Sequence, residues 1–276
     1  MPALDESFFY KHSGRTGFSI PLLLMIGLPV SAIFAILYAY IVVYCPVVGY
    51  VNVLFLGGYV FATAMTLSWI AGLGKCRNAT VLFVLGCIAG LVGLYFSWLF
   101  FFKALFGEEF PMVAVLGLMI SPGTFWEMIM EINKEGWWGP SGIFQWILCA
   151  IEAIAFVFGV GLITAGSIDR EVFCEDCGKW CKQTHTRHLK FTEEYAESLG
   201  EQAEDDGFNH LEILKLPEAT EEELPRFDAE VLDCPACDTT ALRFKLLLPT
   251  EGKDGEIETE SRELPGILLQ QAKNTV

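Results

Sequence analysis

Residues Ile20 to Tyr44 read IPLLLMIGLPVSAIFAILYAYIVVY, twenty-five positions without a charge. A helix rises about 1.5 Å per residue, so about 20 apolar residues cover the roughly 30 Å hydrocarbon core of a bilayer. Tyr50 to Gly74 and Ala79 to Phe102 are equally free of charge. Ile143 to Gly166 carries one acid, Glu152, and has Gln145 near its start. Backbone groups in lipid must satisfy one another within the segment, which predicts four membrane helices rather than strands. Pro29, Gly57, Gly58 and Gly90 are compatible with that setting. Lys11 and Arg15 ahead of the first run also fit a signal peptide, but the run is long and no small-residue cleavage site follows it cleanly. The first helix is therefore expected to be retained.

Composition agrees with the runs. Of 276 residues, 53% are hydrophobic and 19% charged, with a mean hydropathy of +0.44. A typical soluble domain has about 25% charged residues. A net charge of −16 opposes a general phosphate-binding or nucleic-acid-coating role. The charge is uneven: residues 1–167 balance at −2 and residues 168–276 at −14. The expected organisation is a transmembrane four-helix domain over 1–167 and an acidic, cytoplasmic, zinc-ribbon-like α+β domain over 168–276.

Basic residues in short loops orient the spans. Lys11 and Arg15 precede the first helix, Lys75 and Arg77 lie between the second and third, and Arg170, Lys179 and Lys182 follow the fourth. This alternation predicts both termini on the cytoplasmic side. Phe110 to Trp126 is apolar but broken by Pro111, Pro122 and Gly123. A fifth span would place the last basic flank outside, so an interfacial or re-entrant segment is expected over about 110–138. Ser121 and Pro122 read as N-cap and first turn of a helix ending at Gly136. Trp126, Ile129, Met130 and Ile132 would form its apolar side, with Trp137 and Trp138 at headgroup level.

The strongest chemical signal is Cys174-x-x-Cys177 followed by Cys234-x-x-Cys237. Two such knuckles supply the four thiolates of a closed tetrahedral Zn²⁺ site. Gly178 and Pro235 suit the tight turns. The pairing resembles a zinc ribbon over about residues 172–247, although 56 residues separate the knuckles and Asp238 stands where rubredoxin-like knuckles usually carry Gly. Structural zinc is the expected cofactor; iron, disulfides and thiol redox chemistry are the alternatives. Cys181, His185 and His188 raise a second metal site, set against a plain strand from Lys182 to Phe191. Cys181 is also an alternative to Cys177 as a ligand. Thr240 to Leu248 and Glu256 to Arg262 read as a hairpin around Gly252-Lys253-Asp254-Gly255. Thr192 to Ala203 and Thr220 to Leu224 read as helical, the latter with a Thr220/Glu223 capping box.

Within the helices, Gly86 and Gly90 have the spacing for close helix packing. Glu152 is an intramembrane acid, and such groups are candidates for a pore or proton role, against a simple bond to a neighbouring helix. Glu127 and Glu131 sit four apart on one helix face, as a paired-acid site or as a wetted surface. No Walker loop, hydrolase nucleophile elbow, zincin helix or dinucleotide fingerprint occurs, so no enzymatic activity is expected.

The Trp-rich segment Ser121 to Gly139 together with the knuckles resembles uncharacterised bacterial polytopic membrane proteins with a C-terminal zinc-ribbon domain. That resemblance implies the bacterial inner membrane and no transferable activity. The expected function is a scaffold or accessory subunit of a membrane complex, with other protein subunits and the bilayer as partners and nucleic acid disfavoured. One alternative is a homo-oligomeric ion channel or membrane-perturbing effector, with Glu152, Glu127 and Glu131 ringing an outer vestibule. A weaker one is rubredoxin-like electron transfer.

Overall fold

The computed structural model describes residues 10–45, 50–136, 141–168, 171–191, 216–251 and 257–270. The chain forms two compact units, Ser13–Arg170 and Met1–His12 with Glu171–Val276.

The first unit is helical. Its long helices are α1 (Ser19–Tyr44), α2 (Tyr50–Leu73), α3 (Ala79–Phe106) and α6 (Ile143–Gly166), each containing a span long and apolar enough to cross a membrane. Asn78 caps α3, its side chain accepting the Val81 N–H at 3.0 Å. α3 runs one turn past the expected end at Phe102, and Lys103 turns its Nζ onto the Gly107 carbonyl at 2.5 Å. α4 (Met112–Met119) and α5 (Pro122–Glu135) follow and are bent by 109° at their junction. Pro111 and Pro122 open these two short helices because neither needs a backbone N–H there. Gly136, with φ +88°, ends α5.

Ser121 stands at the N-cap and Pro122 in the first turn of α5, as expected, while the expectation about its apolar face is corrected. Ser121 makes no side-chain capping bond. Trp126 and Met130 face outward, while Phe125, Met128, Ile129, Ile132 and Asn133 face inward. Spacing alone left the choice open, because both faces carry apolar residues. Trp137 and Trp138 lie outside the described residues.

Leu67, Leu82, Leu99, Phe102 and Phe156 form the buried core of this unit, but many large apolar side chains are left exposed. Ala35, Ala64 and Ala89 are buried, whereas Met25 is 78% and Leu54 71% exposed. Small residues at the interior let the helices approach closely. A Cβ added at Gly86 would stand 2.8 Å from Gly161 Cα, and one at Gly90 would collide with the Phe156 carbonyl of α6. Phe156 lies in a π-helical turn, Ala155–Gly159, and a second such turn, Leu23–Gly27, lies in α1.

The second unit is built on β-structure. β1 (Phe173–Cys174) and β2 (Lys179–Trp180) form a small antiparallel pair. β3 (Lys182–Lys190), β4 (Arg226–Asp233), β5 (Thr240–Glu251) and β6 (Ile257–Gln270) form a four-stranded antiparallel sheet in chain order. One face carries Leu189, Phe227, Ala229, Val231, Leu242 and Phe244 as a buried cluster. The alternate positions carry charges: Glu230 lies between Arg243, at 2.6 Å, and Lys245. Asp228 receives Arg226 at 2.8 Å and His188 at 2.7 Å.

β4 has no counterpart among the sequence expectations. Its alternation of Phe227, Ala229 and Val231 with Arg226, Asp228 and Glu230 has the period of a strand, but its acids lower the β preference. The described residues of this unit show its β part. Thr220 to Leu224 is a turn, in which Glu223 accepts the Thr220 N–H at 3.2 Å as in half a capping box, and no helix follows. Thr192 to Ala203 and Gly252 to Gly255 lie outside the described residues.

Candidate metal centre

Each Cys-x-x-Cys sits at the tip of a hairpin. Between β1 and β2, Gly178 adopts φ +63° and its N–H donates to the Cys174 carbonyl at 2.9 Å. That left-handed conformation suits glycine and brings Cys177 back beside Cys174. The Cys181 N–H closes the hairpin onto the Val172 carbonyl at 2.8 Å. Between β4 and β5, the Cys234 N–H donates to the Thr239 carbonyl at 2.9 Å, folding Cys237 over Cys234. The β4–β5 register, from Arg226 opposite Leu247 to Asp233 opposite Thr240, fixes where the second knuckle emerges.

The four sulfurs of Cys174, Cys177, Cys234 and Cys237 all lie within 4.8 Å of one another, and Cys174 Sγ is 3.6 Å from Cys237 Sγ. Thiolates at about 2.3 Å from a tetrahedral Zn²⁺ stand about 3.8 Å apart, so the donor set has the size of a metal tetrahedron. All nine cysteines are free thiols. Among the four thiols by themselves, bonds from the Thr239 hydroxyl and backbone pull Cys237 down to about 6. Cys177 is pushed up to about 12, chiefly by its hydrogen bond with Cys237. The Thr239 bonds thus favour the thiolate form of Cys237, the form that binds a soft divalent cation.

The surroundings stiffen the site. Thr239 Oγ1 lies 3.1 Å from Cys237 Sγ and 3.9 Å from Cys174 Sγ. Asp233, next to Cys234, accepts from Thr184 at 2.6 Å and Thr240 at 2.7 Å, and these bonds hold its carboxyl below the usual range. Phe173 and Trp180 meet edge to face at 5.0 Å across the first hairpin. Thr184, Asp233 and Thr239 were not singled out by sequence reasoning, and only their proximity to the knuckles pointed at them.

The remaining candidates separate from this cluster. Cys181 packs against Val172, Leu232 and Ala241, and burial pushes its thiol up to about 11. His185 is exposed with Nδ1 3.2 Å from the Thr184 hydroxyl, while His188 faces Asp228. Among the described residues the four cysteines are the one group of metal-binding side chains so gathered. Glu127 and Glu131 are exposed on α5 and make no ion pair among the described residues. Glu152 instead accepts a hydrogen bond from Tyr38 of α1 at 2.8 Å.

No protein-family model, curated protein or solved structure matches this chain.

Proposed function

We propose that this chain is a membrane-anchored scaffold or accessory subunit whose zinc-held β unit docks a cytoplasmic protein partner. The observation that carries this reading is the closed set of four cysteine donors at two hairpin tips. A four-thiolate tetrahedron leaves no position for a substrate, so the metal's work is to hold the fold. Bound there, Zn²⁺ would supply coordination bonds from Cys174, Cys177, Cys234 and Cys237 in place of a large core. The charge balance of −14 over residues 168–276 suits a partner with a basic surface.

The same reading places both chain ends in the cytoplasm. The Tyr10 N–H donates to the Ile267 carbonyl at 2.7 Å, and the Tyr10 hydroxyl accepts the Phe173 N–H at 3.0 Å. The segment before α1 therefore belongs to the same folded unit as the segment after α6. A folded unit cannot stand on both sides of a bilayer, which supports an even number of crossings and a non-crossing α4–α5 pair. Reduced thiols agree with a cytoplasmic compartment.

Native mass spectrometry of the full chain, extracted gently from its own membranes, tests the proposal. The expected spectrum has one zinc per chain and a retained protein subunit that is lost when residues 168–276 are deleted. Partners that stay bound after the deletion would overturn it. A bare homo-oligomer that conducts cations would replace it with the channel reading, and visible iron-thiolate absorbance with electron transfer.

A further inference from the structure

Among the described residues, Glu152 is a carboxyl without a counter-charge. It stands in α6, and its Oε1 accepts the Tyr38 hydroxyl of α1 at 2.8 Å. The Tyr38 ring meets Phe156 edge-on at 5.3 Å, and Phe156, fully buried, stacks on Tyr59 of α2 at 4.1 Å. The groups facing this point are neutral. α1 and α2 bring the phenols Tyr38 and Tyr59. α6 brings the Cys149 thiol, one turn before Glu152, and α5 brings Asn133, 3.4 Å from Cys149 Sγ. Gln145 is engaged with the same sulfur at 3.8 Å. The one basic residue of α3, Lys103, is held by the Gly107 carbonyl. Among the described residues, Glu152 forms no ion pair.

A carboxylate among apolar helices is costly unless a cation compensates it. A metal ion would need several oxygen donors turned toward it. Here Tyr38 donates to the carboxyl, the Cys149 thiol donates to Asn133 Oδ1, Gln145 turns its Nε2 to the same sulfur, and among the described residues Tyr38 alone is hydrogen-bonded to Glu152. A proton needs no such set of donors. We propose that Glu152 is a proton-binding site at the contact of α1 and α6. The carboxylate takes a proton from hydronium and releases water, and no other bond changes. The neutral acid, with Tyr38 donating to its carbonyl oxygen, completes a side-chain bridge from α6 to α1; ionisation puts an uncompensated charge at that bridge. This site is independent of the metal centre and of the scaffold reading.

Infrared difference spectroscopy on the full chain in lipid nanodiscs at pH 7 tests it directly. The expected result is a protonated-carboxyl C=O band, equal to one carboxyl per chain, that vanishes in Glu152→Gln. In Tyr38→Phe the band should move to higher wavenumber, because the carbonyl loses its hydrogen bond, and a purely structural role for Tyr38 would not move it. Identical spectra for the wild type and Glu152→Gln would overturn the proposal. So would loss of the band on adding sodium or potassium at fixed pH, which would assign the site to a metal cation. If Glu152→Gln does not fold, the Tyr38→Phe shift decides alone: its absence overturns the proposal.

Discussion

At Gly90 the helical unit closes by leaving a side chain out; at Cys174 the β unit closes around donors brought in. α3 and α6 approach because Gly86, Gly90 and Gly161 present bare backbone, and large side chains such as Leu54 and Met25 are turned outward. The β unit has a modest apolar face, Leu189 to Phe244, and adds four gathered thiols and an ion-pair row on β4 and β5. On the membrane reading, apolar burial between helices yields little and shape does the holding. In water a small unit has too little core to hold itself, and metals commonly supply the difference.

Removing the metal should have the largest effect and is the hardest test of this contrast. Structural zinc contributes about 10–16 kcal/mol in small domains, comparable with a whole domain's stability. Chelation, or Cys174→Ser, should abolish protease protection across residues 171–191 and 216–251 while the helical circular dichroism signal persists. A β unit that stays protected without metal would break the comparison. Next is Glu230→Gln, which leaves Arg243 and Lys245 facing a neutral amide and should cost the β unit about 3 kcal/mol. Burial alone would raise the Glu230 carboxyl, but the Lys245 and Arg243 bonds outweigh it and hold the group low. Its contribution is therefore present above the unfolded carboxylate value of about 4.3 and lost as pH falls through the folded one. Acid denaturation of the metal-loaded protein should separate the two: the wild-type advantage over Glu230→Gln shrinks below about pH 4.

How much of this was legible in the sequence follows the same division. Uncharged runs longer than a bilayer announce themselves, because few soluble structures tolerate them, and paired Cys-x-x-Cys knuckles announce a gathered set of four sulfurs, which the structure brings within 4.8 Å of one another. The face of α5 was not legible: Trp126 and Ile129 are both apolar, and only the packing of α3 and α6 decides which turns inward. β4 was hidden by its acids, whose partners Arg243 and Lys245 become visible only once β5 is laid beside it. The Thr239 hydroxyl beside two sulfurs has no sequence signature at all.

Gly90→Ala sharpens the helical side of the comparison. The added methyl meets the Phe156 carbonyl, which is backbone and cannot rotate away, so α3 and α6 must separate. Overpacking of this kind costs about 1–3 kcal/mol. Thermal unfolding in detergent should show a lowered transition for the helical unit with zinc content unchanged. Gly57→Ala is the control, since nothing lies within 4 Å of its added methyl. Equal effects at the two sites would mean that close approach is not what holds α3 to α6.

The smallest effect is expected at the polar contacts inside the helical unit, and its smallness is informative. Tyr59 lies 3.0 Å from the Ser31 hydroxyl, which also donates to the Ala89 carbonyl at 2.7 Å. Tyr59→Phe removes the first contact and keeps both the second and the ring stacking on Phe156. Interhelical hydrogen bonds in membranes are worth about 0.6 kcal/mol on average, because the separated helices also find partners. The melting transition should therefore barely move for Tyr59→Phe while Gly90→Ala lowers it clearly. The reverse ranking would mean that buried hydroxyls, rather than absent side chains, decide how these helices meet.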